Sequence, residues 1–288
     1  MKPGDVFWAL TAALIWGATF PISAIALETT PPIFFAFLRF LVAAAFIVIV
    51  PRPSVSWIKL IAIGLFLGAG QYGFMFVSMT RGISAGLASL LVHTQAFFTI
   101  IIAMIVFSER LAPRQFVALM FAFAGLACLV INRSQAGAMS GLLLVLIAAI
   151  CGAAGNNILK SLKGVNMLGV AVWMSMVVPI PLLILSAFIE GNGSPWSLMA
   201  TVGWPTIGAL AYSAILATVV VFTIWGRLLT TYSAATVAPF FLLVPVFGIS
   251  LSAMILGETF NGLQMLGGGL IFTGLVLALW PRKTMRIG

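Results

Sequence analysis

Apolar residues along the chain come in runs of about 17 to 25 positions, the length an α-helix needs to cross a bilayer, and the runs are broken by charge, proline or glycine. Ten runs are predicted to be helical: Asp5 to Leu27, Ile33 to Val50, Trp57 to Met79, Ser84 to Phe107, Pro113 to Ile131, Ser140 to Lys160, Met167 to Phe188, Trp204 to Trp225, Ser233 to Leu256 and Leu263 to Trp280. A barrel strand would alternate apolar and polar positions because its lumen is wet, and stretches such as Phe98 to Phe107 show no alternation. The pattern predicts an all-α integral membrane protein with ten transmembrane helices.

Composition narrows the picture further. Of 288 residues, 62% are hydrophobic and 7% charged, against about 25% charged in soluble domains. Ten spans leave only short connections, which excludes a cytosolic enzyme, a nucleic-acid-binding protein and a secreted disulfide scaffold. The formal net charge of +9 is a matter of placement. Lys2, Arg52, Lys59, Arg110, Arg114, Lys160, Lys163, Arg227, Arg282, Lys283 and Arg286 fall on one side, Arg81 and Arg133 on the other, and Arg39 lies inside the second span. The positive-inside bias then puts both termini in the cytoplasm of a multi-pass inner (plasma) membrane protein. Cys128 and Cys151 lie within spans without CxxC spacing and read as small packing residues.

The two halves repeat. At an offset of 149, FTIIIAMIVFSERLAPRQFVALMFAFAG (98–125) aligns with FGISLSAMILGETFNGLQMLGGGLIFTG (247–274), which pairs Glu109 with Glu258, Gln115 with Gln264 and Ser84-Ala85 with Ser233-Ala234. Trp16-Gly17-Ala18 sits opposite Cys151-Gly152-Ala153 at an offset of 135. Residues 1–135 and 136–288 thus form two five-helix repeats. Five is odd, so the second repeat enters the bilayer from the opposite side. Inverted repeats of this kind suit alternating access around one central site.

The repeated block, an aliphatic run into FSE or LGE with Gln six residues after the Glu, resembles the EamA repeat of the drug/metabolite transporter superfamily. Trp16-Gly17-Ala18-Thr19-Phe20 and Phe37-Leu38-Arg39-Phe40 are similar to the first and second helices of that family. The resemblance covers nearly the whole chain in two copies. It implies a ten-helix secondary carrier that exports amino acids, metabolites or drugs, and the chain is similar to YddG-like exporters of aromatic amino acids. Met174 stands where Arg39 would repeat and Gly262 precedes Leu263-Gln264, so one-to-one functional equivalence of the halves is not expected.

The chain lacks a GxxxxGK[ST] phosphate loop, an HExxH motif and any Cys/His cluster, so no enzyme, metal or cofactor is expected. Its five acids, Asp5, Glu28, Glu109, Glu190 and Glu258, fall at span ends or in connections, and no proton relay on a mid-membrane carboxylate is visible. Glu109 and Glu258 each precede a helix and are expected to cap the fifth and tenth spans. Inside the slab lie only Arg39 and His93. Each is either a packing group satisfied by neighbouring helices or a substrate contact. Trp16, Gln71, Tyr72, Asn156, Asn157 and Trp173 join them as candidate substrate-binding residues, because uncharged donors and acceptors among aromatic faces suit a zwitterion with an apolar side chain. Gly17, Pro21, Pro239 and Pro245 are candidate hinges. The sequence therefore predicts an exporter of small metabolites, neutral or aromatic amino acids above all, acting by alternating access and as a monomer; a multidrug or other metabolite exporter of the same fold is the alternative. Its expected partners are a small-molecule substrate and the lipid bilayer, with no nucleic acid.

Overall fold

The computed structural model describes residues 1–107, 112–131, 136–162, 164–191, 194–232 and 234–279. Among them all regular structure is helical: α1 (Pro3–Leu27), α2 (Pro32–Val48), α3 (Trp57–Thr80), α4 (Ala85–Val106), α5 (Pro113–Ile131), α6 (Met139–Lys160), α7 (Met167–Ile189), α8 (Pro195–Met199), α9 (Trp204–Thr231), α10 (Ala234–Phe241), α11 (Leu243–Leu256) and α12 (Gly262–Leu279). Eight of these are long and apolar enough to cross a membrane, and α2 and α11 are shorter apolar helices. Glu109, Arg110, Arg133, Lys163, Ser233 and the tail from Trp280 onward lie outside the described residues.

Several helices depart from regular α-geometry inside the bundle. Residues 64–70 of α3 and 212–220 of α9 are π-helical, and α4 turns at His93–Thr94. The offset of 149 that aligns the sequence halves carries 64–70 into 212–220 and His93 onto Leu242, the residue separating α10 from α11. Pro21, expected to hinge α1, lies in a helix that runs unbroken from Pro3 to Leu27. Pro245 is buried in the first turn of α11, just past the Leu242 break, and Pro239 lies in α10 just before it. Gly17 is a close-approach residue, since a Cβ there would stand 2.6 Å from the Phe247 Cβ of α11.

The helix ends explain the repeated Gln and the second Glu. The Gln115 side chain accepts from the Ala112 N–H at 2.9 Å, and the Gln264 side chain accepts from the Asn261 N–H at 3.0 Å, so the glutamines cap α5 and α12. Glu258 does something else, and its expected role is corrected here. Gly257, in the left-handed region at φ 65°, ends α11 and turns the chain so that the Glu258 carboxylate accepts from the Ala85 and Gly86 N–H groups at 2.6 and 2.9 Å. It thus caps α4, a helix of the other half. Glu190 makes the parallel contact: having ended α7, it accepts from the N–H groups of Ile33 and Phe34 at 2.8 and 2.9 Å and from the Ser186 hydroxyl at 2.7 Å. The Thr30 hydroxyl, bonded to the Thr201 carbonyl and the Thr206 hydroxyl, closes the same end.

The opposite end is basic. Tyr232 donates to Asp5 at 2.7 Å, Asp5 pairs with Arg227 at 3.5 Å, and Lys59 reaches Ser161 at 3.0 Å. Between the two ends the helices pack through small residues. The closest seam joins α5 to α12, where a Cβ on Gly125 would stand 2.5 Å from the Gly267 carbonyl and one on Gly274 would stand 2.7 Å from the Ala118 carbonyl. The Gly64 and Gly68 pair in turn admits α7, with Met174 and Val178 against it. The outward faces of α5 and α12 expose Phe116, Met120, Phe123, Met265 and Leu266.

Two outcomes follow from these contacts. Gly125→Leu is expected to lower the unfolding temperature of the detergent-purified protein and cost about 1–3 kcal/mol, because backbone blocks the new side chain; Gly269→Ala, at a site with open space around it, leaves the temperature unchanged. Glu258→Gln is expected to lower it as well, by removing two charge-assisted bonds worth about 1.5–3 kcal/mol, while the exposed Glu28→Gln serves as a silent control in the same melting experiment.

Candidate functional site

Six of the long helices, together with α2 and the α10–α11 junction, enclose a cavity of about 340 Å³. Its lining begins near the basic end with Leu159, Met167 and Leu229, residues of the terminal turns of α6, α7 and α9. It stops short of the other end at Phe20, Arg39 and Met75, beyond which buried Phe34, Phe35, Phe76, Leu182 and Leu210 fill the space. The cavity is therefore reached from the basic end.

Six of the eight predicted substrate residues line it: Trp16, Arg39, Gln71, Tyr72, His93 and Asn156. The other two do not. Asn157 is buried and donates to the carbonyls of Thr99 and Ala153 at 3.3 and 3.0 Å, tying α6 to α4. Trp173 donates to the Val50 carbonyl at 2.9 Å and packs its ring against Trp57, anchoring α7 to the end of α2. In both cases an N–H donor is used between helices, and neither residue lines the cavity.

At the centre three amides meet. Gln71 and Asn156 both donate to the Gln95 side-chain oxygen, at 3.1 and 3.4 Å. Gly152 makes room for this cluster, since a Cβ there would overlap the Gln95 oxygen and stand 2.9 Å from the Gln71 amide carbon. His93 occupies the turn in α4, its Nδ1 bonded to the Ser89 carbonyl, which leaves Nε2 as the free ring nitrogen. Its ring centroid is 5.1 Å from that of Phe241.

An aromatic cluster faces these groups. The Trp16 ring lies 5.5 Å from both Phe222 and Trp225 and 5.7 Å from Phe241. The π-helical turn of α9 positions it: Trp16 donates to the Ala217 carbonyl at 2.9 Å, and Tyr212 returns a bond to the Ile15 carbonyl at 2.8 Å. Gln95, Phe222, Trp225 and Phe241 were not among the predicted site residues. Only a shared offset could have suggested Phe241, which lies beside the Leu242 counterpart of His93.

Arg39 stands near the closed end. Its guanidinium carbon is 4.2 Å from the Tyr72 ring centroid and 6.0 Å from that of Phe40. It is 4% exposed, and its Nη1 finds no hydrogen-bond acceptor among the described residues. No carboxylate lines the cavity. A second cavity of about 320 Å³ shares His93, Gln95, Asn156 and Phe241 with the first and extends between α4 and α12 past Thr99, Pro245 and Leu275. No cluster of three metal-ligating side chains occurs among the described residues.

Comparison with known proteins agrees with this architecture. The EamA-like transporter family matches the chain twice, over residues 5–131 and 139–280. A "Probable amino-acid metabolite efflux pump" of Salmonella typhimurium is 38% identical, with 100% of this chain and 99% of that protein covered. The protein of the same name in Escherichia coli K12 is 36% identical over the full length of both chains. A crystal structure at 16% identity superposes with a TM-score of 0.59 over 96% of this chain and 97% of its own, a likeness of fold alone. The chain belongs to the EamA-like transporter family.

Proposed function

We infer that this protein exports small neutral amino acids and related metabolites from the cytoplasm across the inner membrane, binding them in the central cavity. The observation that carries the reading is the composition of that cavity: a membrane-buried chamber in which an imidazole and three amides face four aromatic rings, with no acidic side chain in the lining. Such a surface offers uncharged hydrogen bonds to the polar end of an amino acid and ring faces to its apolar end. Two relatives named as amino-acid metabolite efflux pumps, at 38% and 36% identity, support the same class of cargo.

The repeat adds the mechanism. We read the chain as ten crossings in two inverted halves, 1–135 and 136–288, with α2 as the second crossing and α10 with α11 as the ninth. The helix irregularities shared at the offset of 149 support this reading. Both termini are then cytoplasmic, and the basic end of the bundle faces the cytoplasm. On this reading the conformation is inward-open, with Glu190, Thr30 and Thr206 at the shut outer end. Exchange of roles between the halves opens the outer end, with the turns at His93 and Leu242, flanked by Pro239 and Pro245, as the points of flexure. His93, Gln71, Asn156, Tyr72 and Trp16 contact the substrate, and a single chain suffices to form the site.

Purified protein in liposomes loaded with labelled serine, leucine or phenylalanine tests this. Saturable efflux that unlabelled substrate on the far side accelerates is expected, with His93→Ala lowering kcat/KM about tenfold, the effect of losing one buried hydrogen bond. Efflux of lipophilic drugs in place of every amino acid would favour the alternative cargo. Orientation has its own check: in cells, Leu229→Cys in a chain with Cys128→Ala and Cys151→Ala is expected to react with a membrane-impermeant maleimide only when the cytoplasmic face is accessible.

A further inference from the structure

We propose that Arg39 is the receptor for a carboxylate group of the substrate, so that the carrier selects molecules bearing a free carboxylate over their amides, esters and decarboxylated amines. The assignment rests on the amino-acid export reading and deepens it.

A cation at this depth is costly unless paired, and in a folded membrane protein such a group is ordinarily satisfied by an acid or by backbone carbonyls. Arg39 has neither. Its Nη1 is buried without an acceptor among the described residues, although the side chain is 96% buried and lines the cavity. Three of the five acids are engaged elsewhere: Asp5 with Tyr232 and Arg227, Glu190 and Glu258 on helix N-termini. Glu28 is exposed where α1 ends, and Glu109 lies outside the described residues.

The surroundings hold the guanidinium in a defined attitude. The Tyr72 ring lies 4.2 Å from its central carbon and covers one face, while Tyr72 is itself held against Phe40 at 5.3 Å and Phe76 at 5.8 Å. A guanidinium carries two parallel N–H groups on one edge that match the two oxygens of a carboxylate. One cation with no second beside it balances a monoanionic carboxylate. A phosphate dianion would call for at least one more. The neutral amides and His93 then meet the rest of the ligand, and a zwitterion enters without adding net charge to the buried site.

The closing experiment uses the reconstituted full-length protein and the best-transported of serine, leucine and phenylalanine, competed with its own amide, methyl ester and decarboxylated amine. With wild-type protein the amide, ester and amine are expected to compete about 10- to 100-fold more weakly than the amino acid, the range for loss of a charge-assisted bidentate contact. Arg39→Gln is expected to lower affinity for the amino acid by the same factor and to erase the preference over the amide, and Arg39→Lys to restore part of both. A wild-type carrier that accepts amino acid and amide equally overturns the proposal while the export reading stands, and that result needs no variant to fold. An Arg39→Gln protein that melts normally and still prefers the amino acid over its amide overturns it as well. If no amino acid is transported by the wild type, the export reading falls and this assignment falls with it.

Discussion

A peptide group inside hydrocarbon has no water to bond, and several helix ends and interruptions in this chain are arranged around that constraint. Where α2 and α4 begin, carboxylates from α7 and from the turn after α11 reach across to the free N–H groups. Where α9 widens into π geometry, the Ala217 carbonyl is taken by the Trp16 indole. Where α4 turns at His93, the hydroxyl of Thr94 bonds the Leu91 carbonyl at 2.6 Å. The fold is therefore stitched by side chains at these points where the backbone ladder lapses, and several of them border the cavity.

That coincidence links architecture to function. A continuous α-helix presents a closed surface with no unmet backbone group and little capacity to change shape. The turn in α4 and the π segments of α3 and α9 place His93, Gln71 and Trp16 around one chamber while leaving the helices on either side intact. Polar groups that would be expensive in lipid become affordable because they face one another and the cavity. Arg39 differs from them: its charge is balanced by no acid among the described residues, so a stability penalty is retained on the cavity lining.

How much of this was legible in the sequence depends on what each residue reports. Depth in the membrane follows from position along an apolar run, so Arg39 and His93 could be singled out and placed in the slab. Facing could not be read the same way. These helices are apolar on nearly every side, and the periodic contrast that marks the inner face of a soluble helix is missing. Asn157 and Trp173 look as suitable for a binding site as Asn156 and Trp16, yet the first pair ties helices together and the second lines the cavity. Trp225 read as the end of a span and proved to be part of the aromatic cluster. Glu258 was recognised as a capping residue, but its partner helix belongs to the other half of the chain, and no local spacing encodes that.

The α5–α12 seam has a mechanical meaning as well. These helices, 19 and 18 residues long, are the least enclosed of the long ones, with most of their surface outside the bundle. At 1.5 Å per residue each spans about 28 Å, close to the hydrocarbon thickness of a bilayer. Interlocked at Gly125, Gly267 and Gly274, they cannot slide along one another. A thinner or thicker membrane must then tilt the two as a unit, which makes this pair, remote from the ligand, the part of the carrier most directly coupled to the lipid composition around it.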